Sequence, residues 1–164
     1  MTHGRKPRRE RYVSNNPKRL ARNAATKLTP AEIATTIDPI RLASRHMREG
    51  VATEREWALL ASAINVAKAI ERLGVVRGLA EHFAQAEEAL NGISRRALTS
   101  GEWKATALYW QEIEHVNTLV DLHEYQLQQL SYGEAHRATR SATAAIHQVG
   151  GRVEMVDQVQ EALL

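Results

Sequence analysis

Three predicted helical segments of this 164-residue chain begin with the same helix-start signal. In each case Thr or Ser is followed three positions later by Glu, at Thr29–Glu32, Thr53–Glu56 and Ser131–Glu134. The hydroxyl and carboxylate of such a capping box satisfy free amides at a helix N-terminus. Alanine and leucine dominate the apolar residues, and Phe83 is the only phenylalanine. This composition favours closely packed helices over a sheet.

Glycine and proline divide the chain into segments of helical period. We expect a short basic helix at Lys18–Lys27 and a first turn at residues 29–32. Further helices are expected from Asp38-Pro39 to Gly50, from Thr53 to Leu73, from Leu79 to Leu98, from Glu102 to Leu130 and from Ser131 to His147. The fold class predicted is all-α, an antiparallel helical bundle over residues 29–149. Residues 150–164 are expected to form a short C-terminal helical tail.

The segment from Glu102 to Leu130 contains neither Gly nor Pro, which predicts one long central helix of about 45 Å. Apolar residues recur along one side of it and are candidates for the core or for a contact between copies: Trp103, Trp110, Ile113, Val120 and Leu127. We expect the protein to be a homo-oligomer for this reason.

Charge is distributed unevenly along the chain. Residues 1–28 contain nine Lys or Arg and one Glu, whereas the remainder contains thirteen Lys or Arg and eighteen Asp or Glu. Residues 1–15 have no periodicity and too little apolar surface to fold, so we predict that residues 1–28 form a basic, largely disordered N-terminal arm.

The N-terminal arm is the candidate nucleic-acid-binding site, because Lys and Arg neutralise phosphates without reading sequence. Tyr12 is available to stack on a base. The alternatives are that the arm docks on the acidic body, in this copy or another, or that it only solubilises the protein. The candidate cations are Arg5, Lys6, Arg8, Arg9, Arg11, Lys18, Arg19 and Arg22.

Several chemistries are disfavoured by the sequence. Cysteine is absent, which excludes disulfides, thiolate zinc sites and a cysteine nucleophile. A helix-turn-helix at residues 79–96 has no turn residue in its middle, and its second helix would begin with two glutamates. Glu112 and His115 have the Glu-x-x-His spacing of di-iron bundles, but no second such motif is present. We therefore predict no catalytic residue, no metal and no cofactor.

No apolar run approaches the 18 or so residues that a membrane helix needs, and no secretory signal opens the chain. We expect a cytoplasmic protein that has no membrane contact.

From Val51 onward the chain resembles short, helical, uncharacterised proteins of proteobacterial phages, prophages and mobile elements. The resemblance rests on the basic opening, on the turn at residues 52–54 with residues 64–70 after it, and on residues 119–127. The chain departs from the pattern at Glu124 and Tyr125. The resemblance implies an accessory protein of a mobile element, acting on nucleic acid or on host machinery, and it assigns no functional residues.

These observations lead to one expected function and one alternative. We expect a non-enzymatic accessory protein that binds nucleic acid or a nucleoprotein through the N-terminal arm while the helical body self-associates. The alternative is a protein-binding inhibitor or adaptor that targets a host complex.

Overall fold

A computed structural model describes residues 16–148 of the protein, and these residues fold into α-helices without strands. The prediction of an all-α fold is confirmed. The described helices, in chain order, are α1 (Pro17–Ala25), α2 (Pro30–Glu49), α3 (Glu54–Leu73), α4 (Ala80–Ala97), α5 (Trp110–Gln129) and α6 (Tyr132–Gln148).

The three capping boxes form as the sequence predicts. At the start of α2 the Thr29 amide donates to the Glu32 carboxylate at 2.7 Å, and the Glu32 amide donates to the Thr29 hydroxyl at 3.3 Å. Equivalent pairs open α3 and α6. Gly50 and Gly74 end α2 and α3 with φ of +69° and +80°, a left-handed conformation that costs other residues more than glycine.

The centre of the fold is α3, which packs against α2, α4, α5 and α6. No residue from Glu56 to Glu71 is exposed, so α3 is covered on all sides. The pairs α2–α3, α3–α4, α4–α5 and α5–α2 form a closed ring, and α3 meets α5 across it. α6 covers the outer side of α3, and α1 packs on α6.

The predicted helix from Glu102 to Leu130 is wrong over residues 102–109, because α5 begins only at Trp110. The Trp103 ring lies 6.1 Å from that of Trp57 on α3, and its indole N–H donates to the Ala52 carbonyl at 2.9 Å. These tertiary contacts hold Trp103 in an irregular segment. A continuous helix would instead place Trp103 on the same side as Trp110, which is exposed.

The predicted helix start at Asp38-Pro39 is also wrong, because α2 continues through Pro39. Proline in a helix interior removes the hydrogen bond to the carbonyl four residues earlier, here that of Thr35. Thr35 is exposed, so water can satisfy that carbonyl. The buried side chains on both sides of the proline, Ile37 and Ile40, keep the helix packed on the core.

The turn after α1 and the turn after α5 lie side by side. The Leu28 amide donates to the Leu130 carbonyl at 3.3 Å, and the Tyr132 amide donates to the Thr26 carbonyl at 2.8 Å. Just beyond, Gly133 of α6 touches Ala24 of α1 so closely that an added Cβ would lie 3.0 Å from the Ala24 Cβ. This close contact fixes α1 on α6.

Candidate functional site

The basic residues of α1 lie on one side of that helix. At 100° per residue, Lys18, Arg22 and Arg19 span an arc of about 100°, and Ala24 lies opposite its middle. Because Ala24 touches α6 at Gly133, the three cations on the opposite side of α1 point away from the body of the protein. All of α1 is exposed. We call Lys18, Arg19 and Arg22 the α1 cations.

The same surface continues onto α6. Gly133, Arg137 and Arg140 are spaced by four and three residues, so they share one side of α6, the side on which α1 rests. Arg137 and Arg140 are exposed. These two arginines were not among the residues predicted from the sequence to bind nucleic acid, although their spacing from Gly133 could be read there. We call the α1 cations with Arg137 and Arg140 the two-helix cationic surface.

The tertiary structure therefore segregates charge differently from the linear sequence. Residues 16–28 and 130–148, which contain α1 and α6, hold six Lys or Arg and one Glu. Residues 29–129, which form the ring of four helices, hold ten Lys or Arg and fourteen Asp or Glu. A basic layer formed by α1 and α6 thus lies on a mildly acidic bundle.

Some cations in the ring of four helices form ion pairs within the molecule, in contrast to the α1 cations. Arg41 pairs with Glu124, Lys68 with Glu87, and Arg96 with Glu112. Within residues 16–148, no ion pair or hydrogen bond engages the side chains of the α1 cations or of Arg140. These groups are available to a ligand of negative charge.

The first turn of α1 also differs from those of the other described helices. Each of α2 to α6 has a glutamate in its first turn, where it complements the positive end of the helix dipole. α1 has none, and places Lys18 and Arg19 there instead. Lys18 and Arg19 consequently work against the stability of their own helix, whereas Arg22 lies in the last turn, where a cation is favourable.

A second group of polar and aromatic side chains lies at the start of α5. Both terminal guanidinium nitrogens of Arg96, Nη1 and Nη2, donate to the Glu112 carboxylate, at 2.8 and 2.6 Å, and Glu112 also accepts from the Tyr109 amide at 2.8 Å. The Glu112 carboxylate raises the pKa of Arg96 above its ordinary value. Arg96 lies 4.6 Å from the centre of the Tyr109 ring, which is 64% exposed.

The apolar residues selected on the predicted long helix have different environments. Trp110 is 69% exposed, Ile113 is half-buried, and Val120 and Leu127 are buried in the core. Trp103 is half-buried against Trp57. Only Trp110 of this set is therefore available for a contact with another molecule through most of its surface.

The Glu-x-x-His pair does not gather further ligands. Glu112 is occupied by Arg96 and Tyr109, and in residues 16–148 no three His, Asp or Glu side chains are grouped as a metal site. His123 is buried on α5, 3.4 Å from the Gln126 amide oxygen, and burial lowers its pKa to about 4. Gln126 in turn donates to the Ala67 carbonyl at 3.1 Å. Both polar side chains therefore contribute to packing between α5 and α3.

The remaining N-terminal residues predicted to bind nucleic acid lie outside the described residues; they are Arg5, Lys6, Arg8, Arg9, Arg11 and Tyr12. The predicted tail at 150–164 lies outside them as well. Among the described helices, none is long and apolar enough to cross a membrane. The chain matches no family model, no curated protein and no solved structure.

Proposed function

We propose that this protein is a non-enzymatic, nucleic-acid-binding accessory protein of a mobile element. The nucleic acid lies along the two-helix cationic surface and the cations of residues 1–15. The observation that carries the proposal is the α1 helix, whose three cations point outward and have no partner among the described residues. Phosphates would neutralise these cations and relieve the unfavourable charge at the start of α1.

The proposal requires that the α1 cations are held in place on the protein, unlike the cations of a flexible arm. α1 is held on α6 by the Gly133–Ala24 contact and by the paired turns, so its cations keep fixed positions beside Arg137 and Arg140. Such contacts bind the phosphate backbone and carry no sequence preference of their own. We therefore expect similar affinity for unrelated sequences of equal length.

The test is fluorescence anisotropy with a labelled duplex and a labelled single strand at two salt concentrations. In the full-length protein, K18Q/R19Q/R22Q should weaken binding and lower the salt dependence for duplex DNA by up to about 3 in the log–log slope. R137Q/R140Q should lower it by up to about 2. The proposal would be refuted if the unaltered protein did not bind nucleic acid, or if its affinity did not depend on the salt concentration.

The matched control for R137Q/R140Q is R45Q/R48Q. Arg45 and Arg48 are exposed on α2, so this variant removes the same charge from the ring of four helices. It should leave the salt dependence close to that of the unaltered protein. If both double variants weaken binding equally, net charge alone explains the affinity and the two-helix cationic surface is not the site.

A protein-binding adaptor is the second candidate, and the exposed Trp110 is the observation that favours it. Tryptophan is enriched where protein interfaces concentrate binding energy. Next to it, the Tyr109 ring packs against Arg96 and the Tyr109 amide donates to Glu112, so the Tyr109 ring begins partly ordered. Capture of a stoichiometric partner from nuclease-treated host lysate, lost in Trp110→Ala but kept in K18Q/R19Q/R22Q, would favour this function over nucleic-acid binding.

A further inference from the structure

The outward side of α5 is acidic, and no helix among residues 16–148 covers it. It carries Trp110, Glu114, Asp121 and Tyr125, all exposed, at spacings that keep them on one side of the helix. α5 contains four carboxylates and no Lys or Arg. The aromatic residues lie at the two ends of this side, and the two carboxylates lie between them. We call these four residues the outer α5 face.

Two of the four α5 carboxylates are used inside the molecule, and two are not. Glu112 binds Arg96, and Glu124 binds Arg41. Within residues 16–148, no ion pair or hydrogen bond engages the side chain of Glu114 or Asp121. The outer α5 face therefore presents two free negative charges between two aromatic rings.

The α1 cations are the complement of this face in charge and in chemistry. α1 has three cations and no acid, and arginine binds both to carboxylates and to the faces of Trp and Tyr rings. Within one copy, however, α1 is held on α6, and α6 packs on α3 rather than on α5. The complementary surfaces can meet without undocking α1 only if they belong to different copies.

We propose that the outer α5 face binds the α1 cations of a second copy of this chain. The contact joins two different surfaces, so it is head-to-tail and leaves one free α1 and one free outer α5 face in each dimer. Repetition of the contact extends the assembly.

This inference rests on the proposed function in one respect: the same α1 cations bind nucleic acid. The outer α5 face therefore competes with phosphate, and nucleic acid of sufficient length to cover α1 dissociates the assembly. Self-association and nucleic-acid binding are mutually exclusive at each α1 helix. In the assembly, the Glu114 and Asp121 carboxylates of one copy bind the α1 cations of another copy in place of nucleic-acid phosphates.

Sedimentation velocity of the nuclease-treated, full-length protein at low and high salt measures the assembly. We expect self-association at low salt that weakens as salt rises. E114R/D121R should raise the dissociation constant of self-association by at least about tenfold, since it places like charges opposite each other. The matched control E81R/E88R makes the same charge change at exposed residues of α4 and should leave self-association nearly unaltered.

Charge exchange between two variants tests the pairing itself. R19E/R22E should also fail to self-associate, but a mixture of R19E/R22E with E114R/D121R should associate. The unaltered α1 of E114R/D121R then faces the unaltered α5 of R19E/R22E, and the two reversed surfaces are also opposite in charge. A mixture that stays monomeric at concentrations where the unaltered protein associates would refute the pairing. So would self-association that E114R/D121R leaves intact.

Nucleic-acid binding distinguishes this inference from the proposed function. E114R/D121R leaves the two-helix cationic surface untouched, so it should still bind the labelled duplex, at least as tightly as the unaltered protein. Adding unlabelled duplex to the unaltered protein should remove the head-to-tail dimer. If the duplex binds and the dimer persists unaltered, the competition is refuted while the proposed function stands. If the duplex does not bind but the charge-exchanged mixture dimerises, the proposed function fails and the head-to-tail contact stands.

Discussion

His123 occupies a position in which protonation is costly. Its side chain is 1% exposed, on the side of α5 that packs on the core, and its Nδ1 lies 3.4 Å from the Gln126 amide oxygen. Gln126 is itself fully buried and donates to the Ala67 carbonyl of α3. Burial lowers the pKa of His123 from 6.5 to about 4, because a charged imidazole would lose its hydration there. Lowering the pH should therefore destabilise the fold.

The sign and size of the effect follow from proton linkage. In the unfolded chain the imidazole takes up its proton near pH 6.5, whereas in the folded protein it does so only near pH 4, so the unfolded state binds more protons between these values. Stability contributed by neutral His123 is complete above pH 6.5 and is lost as the pH falls toward 4. Between pH 7 and pH 5 the loss amounts to about 2 kcal/mol.

This pH range also separates His123 from the capping carboxylates. Hydrogen bonds from the Thr29 and Ser131 amides lower the pKa of Glu32 and Glu134 below 4.5. The stability that these two carboxylates contribute is lost only as the pH falls through their lowered pKa values. A loss of stability already present at pH 5 therefore reports mainly on histidine.

Urea unfolding followed by tryptophan fluorescence at pH 7 and pH 5 measures the effect. The unaltered protein and His82→Gln, which removes an exposed histidine from α4, should each lose about 2 kcal/mol. His123→Gln should start less stable at pH 7 and lose much less on acidification. Equal losses in all three proteins would refute the reasoning. Should His123→Gln not fold, an NMR titration of the His123 ring that gives a pKa near 6.5 would refute it equally.

Four further predictions concern an ion pair, core packing, helix capping and the docking of α1 on α6. Chemical denaturation measures the free energy of unfolding for the first three. Arg96→Ala should cost about 2–3 kcal/mol, since it leaves the Glu112 carboxylate without its ion pair at a site where that side chain is 12% exposed. Leu60→Ala on α3 should cost about 2–5 kcal/mol, because the side chain is fully buried, whereas Leu42→Ala at an exposed site of α2 should cost less than about 1 kcal/mol. Thr53→Ala should cost about 1 kcal/mol by removing a capping hydroxyl, and Thr106→Ala in the irregular segment should cost less. Gly133→Val should separate α1 from α6, seen as faster hydrogen exchange of the α1 amides with that of α3 unchanged; unchanged exchange in α1 would show that the Gly133–Ala24 contact does not hold the helix.

Residues 79–96, which were considered as a helix-turn-helix, show where local sequence is sufficient for a correct prediction. Residues 80–97 form one continuous helix, as the absence of a turn residue predicts. Short sequence signals likewise predict where α2, α3 and α6 begin, and glycine predicts where α2 and α3 end. In each case the signal consists of residues within four positions of one another, and the hydrogen bonds that it specifies are local.

The start of α5 shows where local sequence misled. Nothing between Glu102 and Leu130 forbids a helix, and the heptad spacing of Trp103 and Trp110 favours one. The Trp103 contacts with Trp57 and Ala52 decide otherwise, and both partners are about fifty residues earlier in the chain. Because of these distant contacts, Trp103 is half-buried against α3, whereas Trp110 is exposed.

The all-α class, the capped helix starts and the excess of positive charge before residue 29 could be predicted from the sequence, because each depends on neighbouring residues or on composition. Three other features required the packed structure: α3 is the covered centre, α1 turns its cations away from the body, and Arg137 and Arg140 continue that surface. These outcomes depend on which helices pack together. The orientation of α1, for example, depends on the contact between Gly133 and Ala24, and no local sequence pattern identifies Ala24 as the residue that Gly133 contacts.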